Sequence, residues 1–128
     1  MIVTLVASVA GGAVQADAAE RAAILEAARA PAAKRLGKPV KFKVRTLARD
    51  GDWAFLIAAM EDSSGRPISY VGTALASAEA EGAVSKDYVA LLRLSGGNWR
   101  IVDNAVGPTD VAWADWPSKH GAPQSLFP

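Results

Sequence analysis

Two tight turns, each set between apolar runs, constrain the fold of this chain more than any other sequence feature. The first is "RDGD" (Arg49 to Asp52), which joins "PVKFKVRTLA" to "WAFLIAAM". The second is "SGGN", which joins "DYVALLRL" to "NWRIVDNAV". Glycine in such turns supplies the positive φ angles that a short hairpin loop requires. The sequence therefore predicts two β-hairpins, whose four antiparallel strands can form one sheet.

The two strands of the first hairpin differ in polarity. The first strand alternates apolar and basic residues, and alternate side chains of a strand point to opposite faces. The second strand is apolar on both faces, which is typical of a central strand that is at least partly covered on both sides. The basic surface of the first strand consists of Lys41, Lys43 and Arg45. It fits either a protected edge strand or a contact with a polyanion, anionic lipid or acidic protein.

The segment "DAAERAAILEAARAPAAKRLG" predicts a helix in front of the first hairpin. Asp17 can cap its first turn, and Glu20 follows at the capping-box spacing. Small and apolar residues recur at steps of three and four, which places them on one face: Ala22, Leu25, Ala28, Ala32 and Leu36. Because Pro31 cannot donate a backbone hydrogen bond, we expect the helix to end near Arg29. A short second helix would then run to Gly37.

One long helix and two hairpins predict an α+β domain. A sheet must bury an apolar face, and the N-terminal helix is the only long element that can cover it. We expect this helix to pack on a four-stranded antiparallel sheet, with a long connection between residues 70 and 86 that holds one helical turn. This layout is that of cystatin-like and nuclear-transport-factor-like folds. Since the 128 residues contain no linker or repeat, residues 17–128 are expected to form a single domain.

Composition excludes several classes of function. The chain has 14 Lys and Arg against 13 Asp and Glu, and a net charge of +1 provides no global field for nucleic-acid binding. It has no cysteine and a single histidine, His120, so thiol nucleophiles, thiolate zinc sites and two-histidine metal sites are impossible. It also lacks a G-x-S-x-G motif and a phosphate-binding glycine loop. We therefore expect no metal, no cofactor and no nucleic-acid partner.

The first 16 residues, "MIVTLVASVAGGAVQA", are small or apolar and carry no charged side chain. They end in Val14-Gln15-Ala16, a pattern typical of signal-peptidase cleavage, here before Asp17. The apolar run is shorter than the ~20 residues that a membrane-spanning helix needs. The stretch predicts a signal peptide and a periplasmic or secreted protein without a membrane span. Because no Lys or Arg follows Met1, an alanine-rich helix or strand of the mature fold remains the alternative.

The segment "GPTDVAWADWPSKHGAP" near the C-terminus concentrates aromatic and polar residues. Trp113 and Trp116 are three residues apart, so both lie on one face of a short helix that Thr109 or Asp110 can cap and Pro117 ends. The tryptophans can act as a lid that seals the sheet, since an indole ring buries about 150–250 Å². Alternatively they form the rim of a cleft for a peptide, glycan or small apolar ligand. The candidate binding residues are Trp113, Trp116, Asp110 and His120.

Asp103 is the candidate for catalysis. On a regular strand it shares a face with Trp99 and Ile101. A carboxylate in an apolar cavity has a raised pKa and can act as a general base, as an Asp does in isomerases of the nuclear-transport-factor-like fold. The alternative is that the strand twists or bulges near its end, so that Asp103 caps a turn or pairs with Arg100 or Arg93.

The segments "GDWAF", "YVALLR", "GGNWRIVDNAVGPTDVAW" and "WPSKHGAP" resemble a family of small uncharacterised exported bacterial proteins. The resemblance covers nearly all of residues 17–128, and its most specific part is the GPTDVAW-containing tail. It implies an exported domain of the fold described above and brings no activity with it. We expect a non-enzymatic binding or interaction module for a protein or small ligand. The alternatives are an isomerase-like enzyme with Asp103 as general base, and a structural subunit of an envelope complex.

Overall fold

A computed structural model describes residues 17–128, so the predicted signal peptide lies outside the described residues. These residues form an α+β structure with one helix before a four-stranded antiparallel sheet, as predicted. None of their helices is long and apolar enough to cross a membrane. In chain order the elements are α1 (Ala18–Leu36), β1 (Lys41–Asp50), β2 (Trp53–Glu61), α2 (Ala76–Ala80), β3 (Asp87–Ser95), β4 (Asn98–Val106), α3 (Trp116–His120) and a 3-10 helix (Gln124–Leu126).

Helix α1 begins and ends where the local signals predict, but the expected break at Pro31 does not occur. The Asp17 side chain accepts a 2.8 Å hydrogen bond from Glu20 N, and Gly37 ends the helix at φ 67°. The helix is continuous through Pro31, which corrects the prediction of two helices. The hydrogen bond that proline removes is outweighed because the turns beyond it bury Ala32 and Leu36 on the sheet.

The buried stripe of α1 includes Ala28, Ala32 and Leu36 as predicted, and differs from the prediction in the first turns of the helix. The predicted positions Ala22 and Leu25 are exposed and half-buried, respectively, whereas Ile24 is fully buried. Ala28 also lies at the contact with the sheet and is fully buried. Since the side chains that touch the sheet in this region are largely alanines, helix and sheet can lie close together.

The strand order is β1-β2-β3-β4, so both predicted hairpins are present and β1 and β4 form the two edges. Asp50 pairs with Trp53 at the first turn, and Ser95 pairs with Asn98 at the second. Adjacent residues of β2 are fully buried on opposite faces, as Phe55 and Leu56 show. Strand β2 is therefore the central strand that its composition predicts.

The side of the sheet that α1 covers, the helix face, carries the larger part of the core. Helix α1 packs there on Leu56, Tyr88 and Leu92. The connection between β2 and β3 adds Ile68 and Tyr70 to the same cluster, and it contains α2, the single helical turn expected there. This connection therefore closes part of the helix face.

The opposite side, the tail face, is partly covered by residues 108–128, which we call the tail. Trp116 and Leu126 are buried there against Phe55 of β2 and Leu91 of β3. The lid interpretation is thus confirmed for Trp116. Pro117 lies in the first turn of α3 and does not end the helix as predicted, because the first helical turn needs no hydrogen bond from its N–H groups.

Candidate functional site

The tail covers only part of the tail face. Trp53 and Phe55 of β2 are buried beneath it, whereas Ile57, Ala59 and Glu61, which follow on the same side of the strand, are only half-buried. An open cleft of about 700 Å³ lies at the border between the covered and uncovered parts. This cleft is the candidate functional site.

The floor and one wall of the cleft are apolar. Ile57 of β2 and Val89 of β3 form the floor, and Pro108 and Trp113 of the tail form the wall. Trp113 is half-buried, and its ring contacts Phe55 edge-on with centroids 5.5 Å apart. The indole is thus held in place on one side and lines the cleft on the other.

An ion pair forms the opposite wall. Arg45 Nη2 lies 2.5 Å from Asp87 Oδ2, so the arginine side chain reaches from β1 across β2 to β3. Two local features permit this reach. The register of β1 against β2 shifts between Val44 and Thr46, which makes Arg45 a bulged residue. The β2 partner of Asp87 is Ala59, whose methyl group leaves room above the strand.

Backbone hydrogen bonds fix the loop at the end of the cleft. Gly107 N donates to Asp87 O at 2.8 Å, and its carbonyl accepts from Ser85 N at 3.1 Å. The Ser85 hydroxyl also donates to Pro108 O at 2.5 Å. These bonds hold the next two residues, Thr109 and Asp110, at the cleft, where both contribute to its lining.

Gly107 itself has to be glycine. Its φ is 71°, and a Cβ atom there would lie 3.1 Å from Ser85 O and 3.2 Å from the Tyr70 hydroxyl. Burial, the largest influence, and the neighbouring Glu79 and Asp87 carboxylates raise the pKa of Tyr70 to about 12. Tyr70 therefore stays protonated and donates to Ser85 O at 2.6 Å. Tight packing behind the loop thus supports the cleft.

The four predicted binding residues do not form one site. Trp113 and Asp110 both line the cleft. Trp116 is 3% exposed and belongs to the core on the tail face. His120 lies outside the lining of the cleft, with Nε2 2.7 Å from Asp103 Oδ2. The pair of tryptophans is therefore divided, because α3 begins only at Trp116 and leaves Trp113 in the preceding turn.

The prediction that Asp103 shares a face with Trp99 and Ile101 is wrong. Asp103 pairs with Leu91, but the next β3 residue, Leu92, pairs with Ile101, so a bulge turns the end of β4 over. Asp103 consequently points to the tail face. This outcome matches the alternative of a bulged strand, although the partner of Asp103 is His120 and neither of the expected arginines.

The expected raised pKa of Asp103 is also corrected. Partial burial raises this pKa, but hydrogen bonds from His120 and from Asn104 N, together with the charge of Lys119, outweigh it. The pKa of Asp103 is therefore lower than its ordinary value. The carboxylate remains ionised and ties β4 to the C-terminal end of α3.

The basic residues of β1 serve different purposes. Lys41 Nζ donates to Ser63 O at 3.1 Å, and Arg45 forms the wall of the cleft. Lys43 is exposed between them. Sequence reasoning missed Asp87 and Ser85 as parts of the site, because each acts through a residue more than 20 positions away.

A second, smaller groove of about 400 Å³ lies on the other side of the molecule, between α1 and the second hairpin. Its wall on α1 consists of three alanines and Glu26, and Glu26 is paired with Arg29. Residues 17–128 contain no group of three or more histidine, aspartate or glutamate side chains placed to hold a metal ion. Comparison of the chain with protein-family models, curated proteins and solved structures found no match.

Proposed function

We propose that the protein is an exported, non-enzymatic binding module whose cleft takes a small ligand or a short segment of another protein. The observation that carries this proposal is the position of Trp113, which lines an open cleft of about 700 Å³ with an apolar floor. Apolar clefts with a few polar groups at their rim are the usual form of ligand sites. Arg45, Asp87 and Asp110 supply such groups.

The walls of the cleft are fixed before a ligand binds. The Arg45–Asp87 ion pair joins two strands, and three hydrogen bonds fix the loop that follows β4. A ligand that enters the cleft need not order these elements, so less conformational entropy is lost on binding.

The environment of Asp103 favours binding over catalysis. A general base works best when its pKa lies near the pH of the reaction, and the His120 hydrogen bond helps to lower the pKa of Asp103. Asp103 does not belong to the lining of the cleft. Its contact with α3 supports a role in holding the tail in place.

Export is proposed from the sequence of residues 1–16, which ends in a signal-peptidase pattern. The test is expression of the full chain in a Gram-negative host, followed by mass spectrometry of the protein from each cell fraction. We expect a periplasmic species that begins at Asp17. A cytoplasmic protein that retains Val14-Gln15-Ala16 would contradict export.

Binding in the cleft is tested with a library of small molecules and by NMR of the tryptophan indole N–H groups. We expect ligands that shift the Trp113 resonance and leave the buried Trp116 resonance nearly unchanged. In isothermal titration calorimetry, which does not depend on the Trp113 signal, Trp113→Ala should abolish this binding. Val111→Ala should not, since Val111 is 57% exposed and lies outside the lining of the cleft. Hits that bind equally to Trp113→Ala and to the unmodified protein would refute the site.

A further inference from the structure

We infer that the cleft selects organic cations, such as a primary ammonium group or a basic peptide side chain attached to an apolar body. This inference rests on the proposed function and names the ligand class of the same site. Its basis is the balance of charge around the cleft, together with the position of the indole ring.

The charged side chains that line the cleft are one guanidinium and two carboxylates, from Arg45, Asp87 and Asp110. Arg45 and Asp87 neutralise each other through their 2.5 Å ion pair. Within residues 17–128 the exposed Asp110 takes part in no ion pair. The side chains of the cleft therefore carry one uncompensated negative charge, that of Asp110.

A cation also gains from the aromatic wall. The face of an indole ring attracts positive charge more strongly than the other aromatic side chains do. Trp113 lines the cleft three residues after Asp110, and its ring is held by the contact with Phe55. A cationic group in the cleft can therefore interact with a carboxylate and an indole, while its apolar body lies on Ile57 and Val89.

An anionic ligand lacks these advantages. At Arg45 it must share the guanidinium with Asp87, whose carboxylate already balances the charge and repels a second anion. It would also lie near the unpaired charge of Asp110 and against the negative face of the indole. A neutral ligand gains only from the apolar floor, so the expected order of affinity is cation, neutral molecule, anion.

Three probes with the same phenethyl body and different charge test this order: phenethylammonium, phenethyl alcohol and 3-phenylpropanoate. Each is titrated into residues 17–128 at neutral pH and low ionic strength, and the Trp113 indole N–H shift is followed by NMR. We expect the ammonium probe to bind about three- to tenfold more tightly than the alcohol, from one exposed ion pair and one cation–π contact. Added salt should reduce this preference.

Asp110→Asn should reduce the preference for the cation to about twofold or less, because the cation–π contact alone remains. Asp115→Asn is the matched control, since Asp115 is an exposed carboxylate of the same tail and lies outside the lining of the cleft. It should leave the preference unchanged. An unchanged Trp116 resonance in each variant verifies that the tail remains folded.

Equal affinity of the three probes in the cleft would overturn the inference and leave the proposed function intact. Tightest binding of 3-phenylpropanoate would also overturn it and would indicate that Arg45 is the recognising group. Absence of a Trp113 shift with all three probes at millimolar concentration overturns the inference as well. The proposed function fails only if the small-molecule library also gives no ligand at Trp113.

Discussion

The two faces of the sheet are covered in different ways, and the difference explains why the cleft lies where it does. On the helix face, the alanines Ala28 and Ala32 lie in the buried cluster, and a regular helix packs closely on β3 and β4. On the tail face, a short irregular segment is held by a few large side chains, chiefly Trp116 and Leu126. Large side chains at separate points cover only part of a surface, so an open cleft remains beside them.

The largest expected effect on stability is that of Trp116→Ala, and it should exceed the effect of Trp113→Ala. Trp116→Ala should lower the free energy of unfolding by about 3–5 kcal/mol, the usual cost of truncating a buried aromatic residue. Trp113→Ala should cost about 1 kcal/mol, since it loses mainly an edge-on aromatic contact. Urea unfolding of residues 17–128 measures both values. Equal losses would contradict the division into one core tryptophan and one cleft tryptophan.

The close packing of α1 on the sheet can be tested by enlarging a side chain at their contact. Ala28→Leu should destabilise the protein by about 2 kcal/mol, because the added atoms have no space between helix and sheet. Ala22→Leu, on the exposed side of the same helix, should change stability by no more than about 0.5 kcal/mol. If Ala28→Leu were neutral in urea unfolding, the packing of this face would be looser than described.

Gly107 supports the cleft from behind, and its substitution should have a smaller effect. Gly107→Ala should cost about 1.5 kcal/mol, since it combines a positive φ with crowding by Ser85 O. Gly97→Ala shares the positive φ, 80°, but has open space around its Cβ position. Gly97→Ala should therefore destabilise the protein less than Gly107→Ala does. Thermal unfolding of both variants measures the two costs. Equal costs would show that the crowding has no energetic effect.

The smallest expected effect concerns the contact that holds α3 to β4. Asp103→Asn should destabilise the protein by about 1 kcal/mol at neutral pH, because a charge-assisted hydrogen bond to His120 is weakened. The pKa of Asp103 is lowered in the folded protein, so its stabilising contribution is present above the unfolded pKa and is lost as pH falls through the folded pKa.

The difference in urea midpoint between the unmodified protein and Asp103→Asn should therefore narrow below about pH 4, the ordinary range of an aspartate pKa. Asp115→Asn, in which an exposed carboxylate is replaced, is the control for general effects of charge. A difference that is constant down to pH 2 would show that the ionised carboxylate makes no contribution.

Features that depend on local sequence signals could be predicted. Asp17 caps α1 as expected, Gly37 stops the helical segment where a stop was expected, and both hairpins have the predicted turns. The same reasoning failed at Pro31, because burial of the residues beyond it outweighs the lost hydrogen bond. It failed at Asp103 because the bulge arises from the pairing of β4 with β3. The sequence of β4 alone does not indicate it.

The site was predictable only in part for the same reason. The composition of the tail points to Trp113 and Asp110, which line the cleft, and equally to Trp116 and His120, which do not. The opposite wall is an ion pair between Arg45 and Asp87, which are 42 positions apart in the sequence. The pair requires the β1 bulge at Arg45 and the small residue Ala59 beside Asp87. Only the assembled sheet brings these conditions together.

The central claim is that the tail is the second layer of the core, and removal of the tail tests it most directly. Urea unfolding of a chain that ends at Gly107 should be compared with that of residues 17–128. The account predicts loss of the cooperative transition and binding of an apolar dye, because Phe55 and Leu91 are then exposed. A shortened chain with the same urea midpoint and no dye binding would contradict the account.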